Sequence, residues 1–517
     1  MTLATRRIVL GAAMVATLLC FAAARPALER WVTYTRMALA YTAPLDAQEG
    51  FALWETDRWR DGLGLYVPTQ RDSFVSAPYP PIHPWLMLQI GAAHGAHPFW
   101  GGRMLALVAL LLTVAGAVAL IRVVTGSWLG GLAAGGVILA QPPFQLWAMR
   151  IKPDMLGLCF TVWGLALVAG LGKQRWAGRR AWLQAGLLAA PFVLAHFTKQ
   201  TLVAGPMAVM VWLWVHEGGF AWLRRIAGTR RSAGWWAHLR SYQPPTTAFY
   251  FLGAFAGMLA VVWIALDLWS GGQYTYHVWV LHKLGWRVSL WQKLVALLAP
   301  LWPAMLLGVL GLAATWRRPT AVNAYALLAP VSLISAGVQG AHHNHLLETG
   351  LALALVAGQA VGVGLRGLAL HPRHGWLVAA ALPLLALQWA LLATPLPWFA
   401  NDYAPDPDRS RFVDFIRATP GEILADDVGL LYAAGRPLRY DDPSAMGPAV
   451  AQGLWREDGL LDDIRNRRFS AILFHMEITP EFLDTSGHWS PNALRAIYEN
   501  YDIKFADTVL IYVPKME

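Results

Sequence analysis

Up to residue 393 the chain alternates apolar stretches of about twenty residues with short polar breaks. Twenty helical residues rise about 30 Å, the thickness of a bilayer's hydrocarbon core. The pattern predicts helical spans near 8–24, 103–121, 128–147, 155–172, 183–197, 200–215, 246–269, 294–316, 320–338, 349–365 and 376–393, eleven in all. Arg6 and Arg7 precede the first run, which ends in small residues. A cleavable signal is one reading, but an uncleaved first helix fits the many later spans better. Residues 25–81 read as a polar, aromatic outer loop, and 82–100 as a short juxtamembrane or re-entrant segment containing Pro84 and Pro98.

The character changes after residue 400. Asn401–Asp408 is a Pro/Asp linker, and β-like runs at Glu422–Leu424, Ala471–Phe474 and Val509–Val513 alternate with helical patterns at Gly459–Arg467 and Pro491–Tyr501. The fold class is therefore mainly α: a polytopic helical membrane domain over 1–400, with a small α/β domain over 401–517.

Composition strengthens this picture. Hydrophobic residues are 56% of the 517 and charged residues 14%, where a soluble domain carries about 25% charged. A mostly water-facing chain is excluded. The 27 tryptophans fit interfacial anchoring, with Trp128, Trp147, Trp269 and Trp316 near span ends. Cys20 and Cys159 lie inside apolar stretches and indicate neither a disulfide nor a metal site.

Charge then orients the spans. The net +10 hides a split: residues 394–517 hold 20 acidic and 12 basic side chains, and the first 393 hold 29 basic and 11 acidic. The bases sit in short loops, so positive-inside topology explains them more simply than nucleic-acid binding. With 82–100 not crossing, Arg6, Arg7, Arg122, the Lys173–Arg180 cluster, Arg224–Arg240, Arg317, Arg318, Arg366 and Arg373 fall on one side. That gives about sixteen basic residues inside against about six in later outer loops, the expected bias. The amino terminus is expected in the cytoplasm and residues 401–517 on the opposite face, in a bacterial inner membrane.

On this topology ten of the eleven carboxylates before residue 394 lie at the outer face and Glu217 alone inside. Seven crowd into 25–81. Asp46 and Glu49 are three apart, so a helix there puts them on one face. Paired carboxylates can divide between general base and ligand holder; Asp46 as a helix cap is the plainer alternative.

These residues resemble the GT-C superfamily of membrane glycosyltransferases, which includes protein O-mannosyltransferases and lipid A aminoarabinose transferases. The likeness rests on Asp46–Gly50, Gly62-Leu63-Gly64-Leu65-Tyr66 and Tyr79-Pro80-Pro81 before an apolar segment. It also rests on Lys152-Pro153-Asp154 at the head of a span, on His196-Phe197-Thr198-Lys199-Gln200 and on the 401–517 domain. The resemblance implies a glycosyltransferase that takes a sugar from a polyprenyl-phosphate donor to an acceptor hydroxyl on a glycan, glycolipid or protein. It places transfer at the outer face, next to membrane lipid, with Asp46 or Glu49 as base. Tyr66 and Tyr79 join the substrate-binding candidates through it.

A lipid-phosphate leaving group needs cations or donors nearby. Lys199 and His196 sit at an outer span junction, where an ionisable residue is a functional candidate by default and snorkelling is the alternative. Arg150 and Lys152 could hold phosphate while Asp154 orients the acceptor or a cation. A divalent Mg or Mn ion is conceivable, with Asp46 and Asp154 as ligands. In His342-His343-Asn344-His345, His345 and Glu348 are three apart; a polar loop binding sugar or phosphate fits better than a metal site, since no zinc spacing matches. Tyr274, Tyr276, His277, Lys283 and Arg287 would line lipid access or form an interfacial helix. The rival class is a transporter or lipid-linked sugar flippase, but paired repeats and charged, broken midplane helices are not evident.

Overall fold

The computed structural model describes residues 3–91, 97–172, 178–218, 246–370, 375–394, 397–475, 477–479, 488–506 and 509–516. Several of the basic positions used to orient the spans lie outside the described residues: Lys173, Arg175, Arg224–Arg240 and Arg373, with the side chains of Arg6, Arg7 and Arg179.

Every apolar stretch forms helix. Five helices are long and apolar enough to cross a membrane: Trp100–Thr125, Asp154–Leu171, Thr246–Trp269, His343–Leu370 and Trp376–Ala393. The number rises to seven when each of two bent pairs counts as one span. The other predicted spans are shorter or interrupted, for local reasons. Pro142 and Pro143 separate Trp128–Ala140 from Pro142–Trp147, because proline has no N–H for the preceding turn. The stretch from Ala321–Leu328 continues as the 3-10 turn Ala329–Gly337.

Residues 25–81 are not all loop. Arg25–Ala40 is a helix bent by 44° from the first one, and it buries Ala27, Tyr34 and Ala38 against the bundle. Its charges made the stretch read as polar, yet they lie off the packed face: Arg25 pairs with exposed Glu29 at 2.6 Å, and Arg30 donates to the carbonyls of Leu392 and Ala393. The loop proper begins at Tyr41. Ile82–Gln89 is an eight-residue helix, about 12 Å long, which does not span about 30 Å of hydrocarbon.

Packing between spans uses small residues. A Cβ on Gly130 would meet the Gly358 carbonyl and the Gly362 Cα at 2.7 Å, so Trp128–Ala140 and Leu347–Leu370 approach backbone to backbone. That is how membrane helices gain dispersion contact without a hydrophobic driving force.

The 401–517 domain carries a four-stranded sheet in the order β1-β2-β4-β3, built from β1 (Glu422–Ala425), β2 (Phe469–Phe474), β3 (Tyr501–Ala506) and β4 (Leu510–Pro514). β1 and β2 are parallel and the other pairs antiparallel. Helices Asp458–Arg465 and Pro491–Asn500 stand near where periodicity places them. β3 went unread, although Tyr501, Ile503 and Phe505 alternate as a strand should.

This domain is not a separate appendage. Phe74 of the first loop bridges to Tyr440, donating its N–H to the Arg439 carbonyl at 2.8 Å and accepting from Asp441 N at 3.0 Å. Helix Ala47–Arg60 packs on helix Val428–Ala433 so closely that a Cβ on Gly50 would lie 2.5 Å from the Gly429 Cα. First loop, bundle and domain thus enclose a common space.

Candidate active site

That space is a cavity of about 550 Å³ between the helical bundle and the 401–517 domain. The first loop gives Gln48 and Tyr79, the bundle gives Lys199, Asn344 and His345, and the domain gives a further wall.

Asp46 and Glu49 share a helix and have opposite surroundings. Asp46 is the N-cap of Ala47–Arg60, and its Oδ1 accepts from Glu49 N at 3.1 Å. Its Oδ2 lies 3.2 Å from both Arg150 Nη1 and Lys152 Nζ. Burial alone would push Asp46 up, but Lys152 and Arg150 outweigh it and hold the carboxyl well below the usual range. The side chain is 20% exposed, so it keeps a route to ligand. Glu49 is fully buried. Its carboxylate takes Arg103 Nη2 at 2.7 Å, Arg103 Nε at 3.1 Å and Leu45 N at 2.7 Å. Arg103, also fully buried, spends its other donors on the carbonyls of Ala38, Tyr41 and Ala43. This pair ties the first loop to the head of Trp100–Thr125 and faces no cavity.

Trp147 organises the cationic cluster. It is 1% exposed, so it is not the interfacial anchor expected from its place in the sequence; Trp128, Trp269 and Trp316 are exposed as anchors should be. Arg150 lies 4.7 Å and Lys152 5.2 Å from its ring centre, with His342 at 5.2 Å and His343 at 5.9 Å. The indole holds both cations by cation–π attraction. Asp402, which the sequence showed only as part of a linker, comes within 3.9 Å of Arg150 and 4.0 Å of His343.

A second cluster lies at the head of Asp154–Leu171. Lys199 ion-pairs with Asp154, and Asn344 donates to the same Asp154 Oδ1 at 3.1 Å. His345 Nδ1 meets Ser335 Oγ at 2.7 Å. Asp154 Oδ2 and Glu348 Oε1 are buried without a hydrogen-bond partner among the described residues. Both residues line a side pocket of about 20 Å³ that shares Lys199, Asn344 and His345 with the main cavity. That is room for about one water.

The structure therefore brings Asp46, Arg150, Lys152, His342 and His343 together, with Asp154, Lys199, Asn344 and His345 in an adjoining cluster. Besides Glu49, sealed against Arg103, two candidates fall elsewhere. Tyr66 is buried and donates its hydroxyl to the Tyr79 carbonyl at 2.8 Å, so it fixes the loop that presents Tyr79. His196 is buried beside Phe197 and stacks on Trp279, away from the cavity. In the lipid-access group, Tyr274 is fully buried, Tyr276 donates to the Leu454 carbonyl at 2.9 Å and His277 Nε2 meets the Val67 carbonyl at 2.6 Å. Sequence reasoning missed Arg103, Asp402 and the domain's wall residues. Arg103 alone had a signal, as a lone cation heading an apolar helix.

The donor set does not suit a divalent cation. Both oxygens of Asp46 are taken by protein donors, and Asp154 Oδ1 is held by Lys199 and Asn344, which leaves Asp154 Oδ2 as the one open oxygen of the two suggested ligands. Among the described residues no three His, Cys, Asp or Glu side chains converge as a metal site.

No protein-family model matches the chain, and no curated protein matches it in sequence. Solved structures do match in shape. ArnT from Cupriavidus metallidurans, a lipid A aminoarabinose transferase, superposes in its apo state with a TM-score of 0.55 at 14% identity, covering 97% of this chain and 98% of that one. Its undecaprenyl phosphate-bound structure gives 0.50 at 15% identity over 96% and 97%. The Archaeoglobus fulgidus oligosaccharyltransferase in complex with Zn and sulfate gives 0.53 at 11% identity, covering 96% of this chain and 73% of that one. At these identities the likeness is one of fold.

Proposed function

We propose that the protein is a membrane glycosyltransferase that moves a sugar from a polyprenyl-phosphate donor to an acceptor hydroxyl on a glycan, glycolipid or protein, at the face carrying the 401–517 domain. The observation that carries this reading is Asp46 held 3.2 Å from both Arg150 and Lys152, directly before Ala47 and Gln48 of the cavity lining. The fold shared with a transferase bound to undecaprenyl phosphate supports a lipid-linked donor.

Asp46 as it stands is a weak base, because two cations stabilise its charge. A donor phosphate on Arg150 and Lys152 would compete for those cations, and losing them raises the affinity of Asp46 for a proton. Asp46 would then take the acceptor hydroxyl's proton as its oxygen attacks the anomeric carbon. The bond from that carbon to the phosphate oxygen breaks, and polyprenyl phosphate leaves with the electron pair. Arg150 and Lys152, held on Trp147, would stabilise the charge developing on the leaving phosphate, with Lys199 and Asn344 holding Asp154 alongside. The burial of Glu49 against Arg103 supports Asp46 rather than Glu49 as the base. The polar side chains gather at one end of the bundle and against the domain, which favours a transferase over a transporter with a midplane site.

The experiment is the glycan and glycolipid profile of a deletion strain complemented with wild type or Asp46→Asn. The wild type should restore a missing sugar and Asp46→Asn should not, at equal membrane abundance. Restoration by Asp46→Asn would overturn the mechanism.

A further inference from the structure

The cavity has one wall that transfer, as described, does not use. β1 and β2 are parallel neighbours, and both run out into it: Asp426 follows the end of β1 and His475 the end of β2. The crevice beyond the carboxyl ends of adjacent parallel strands is where open α/β sheets bind ligands. Asp426 Oδ1 lies 2.8 Å from His475 Nδ1, and His475 N donates to Asp426 Oδ2 at 2.9 Å. Asp427, 1% exposed, accepts from Gly429 N through Oδ1 at 3.0 Å. Its Oδ2 sits 2.7 Å from Arg409 Nη1, outside hydrogen-bonding alignment. This buried oxygen in the cavity wall is thus ion-paired but has no aligned hydrogen-bond donor, and a ligand hydroxyl would supply one. Phe474 and Trp489, 3% and 4% exposed, present aromatic edges to the cavity, their ring centres 5.2 Å apart.

Each carboxylate of this wall has a cationic or imidazole partner: Asp426 with His475, Asp427 with Arg409, Asp442 with His282 at 3.1 Å. Asp441 pairs likewise with Arg58 at 3.4 Å, so the wall presents directed donors and acceptors, with more carboxylates than guanidinium groups. An anionic ligand would face several carboxylates, and an apolar one would strand them without hydrogen bonds. A sugar ring answers both conditions. Its hydroxyls donate to carboxylates and accept from guanidinium and imidazole, and its C–H face lies against the aromatic edges.

We propose that the 401–517 domain contributes a carbohydrate subsite, in which Asp426, Asp427 and His475 hold a neutral, hydroxyl-rich sugar unit against Trp489. The subsite deepens the transferase reading and rests on it, but its binding test needs no turnover. The sugar could belong to the donor or to the acceptor, and two arms separate them. Full-length protein in detergent is titrated with neutral gluco-, manno- and galacto-tetrasaccharides. It is titrated separately with polyprenyl-phosphate glucose, mannose and galactose, with polyprenyl phosphate alone as control.

Asp426→Asn and His475→Gln should each weaken at least one sugar by about tenfold, as expected when one hydrogen-bond partner at a partly exposed site is removed, without changing polyprenyl phosphate binding. A loss confined to tetrasaccharides assigns the subsite to the acceptor, and one confined to lipid-linked sugars assigns it to the donor. His475 is 38% exposed, so His475→Gln tests the wall even if Asp426→Asn unfolds. Three results would overturn the proposal: no neutral sugar binds wild type at millimolar concentration in either form, the variants bind as wild type does, or sulfated counterparts bind as tightly as neutral ones. Asp46→Asn should keep sugar binding. Normal transfer by that variant would sink the catalytic mechanism and leave the subsite standing.

Discussion

Replacing Glu49 with glutamine and Asp46 with asparagine should produce opposite defects, although the residues are one helical turn apart. Glu49→Gln removes the only carboxylate that, among the described residues, pairs with Arg103, a guanidinium that is fully buried and donates to three carbonyls besides. Breaking a buried ion pair while leaving one charge in place costs about 3–5 kcal/mol. That is a large share of a typical domain's stability of about 5–15 kcal/mol. Glu49→Gln should therefore lower the unfolding temperature and yield of detergent-solubilised protein. The molecules that remain folded should transfer sugar at close to the wild-type rate. Asp46→Asn keeps a residue that caps helices as well as aspartate does; it leaves two buried cations short of a carboxylate, but Arg150 keeps Asp402 at 3.9 Å and both cations keep the Trp147 ring, so it should cost less stability than Glu49→Gln. Its transfer rate should fall by about 10²–10⁴-fold, the usual contribution of a general base. The assay pairs thermal unfolding in detergent with sugar transfer per folded molecule in complemented deletion membranes. A stable, inactive Glu49→Gln protein would refute the assignment, and so would an unstable Asp46→Asn protein with full activity.

Three further predictions follow from particular contacts. Chelation with EDTA should leave transfer unchanged, because Lys152, Arg150 and Lys199 already occupy the carboxylates a divalent ion would need; loss restored by Mn or Mg would contradict this. Gly50→Ala would drive a Cβ to 2.5 Å from the Gly429 backbone, costing about 1–3 kcal/mol as overpacking does; proteolysis should then release the 401–517 domain more readily, and unchanged protection would refute the contact. Burial would lower the His475 imidazole, but its bond to Asp426 outweighs this and raises it. The folded value exceeds the unfolded one of about 6.5. The stabilisation is therefore complete below that pH and lost as pH rises through the folded value. The wild-type advantage in unfolding temperature over His475→Gln should shrink from pH 5.5 to pH 9, an effect under about 1 kcal/mol for so exposed a pair; a gap independent of pH would refute it.

What the sequence determined by itself is the architecture that follows from local patterning. Twenty-residue apolar periodicity places the helices, because a span must satisfy its own backbone in hydrocarbon wherever it sits. Alternation and turn residues disclosed most of the small sheet, because a strand's faces are set by its own residues. The candidate cluster was legible too, in Asp46, Arg150, Lys152, Asp154 and Lys199, since ionisable groups at the ends of apolar runs are expensive and so conspicuous. Partnership was not legible. Nothing in the spacing of Asp46 and Glu49 says that one sits between Arg150 and Lys152 and the other is sealed against Arg103, 54 residues away. Trp147 looked like other span-end tryptophans until the proline break turned it under two cations. Asp402, Asp426 and His475 looked like linker and loop residues because their neighbours come from distant parts of the chain. Charge pairing and burial are properties of three-dimensional proximity, so only the tertiary structure decided which carboxylate is sealed against a buried guanidinium and which stays partly exposed.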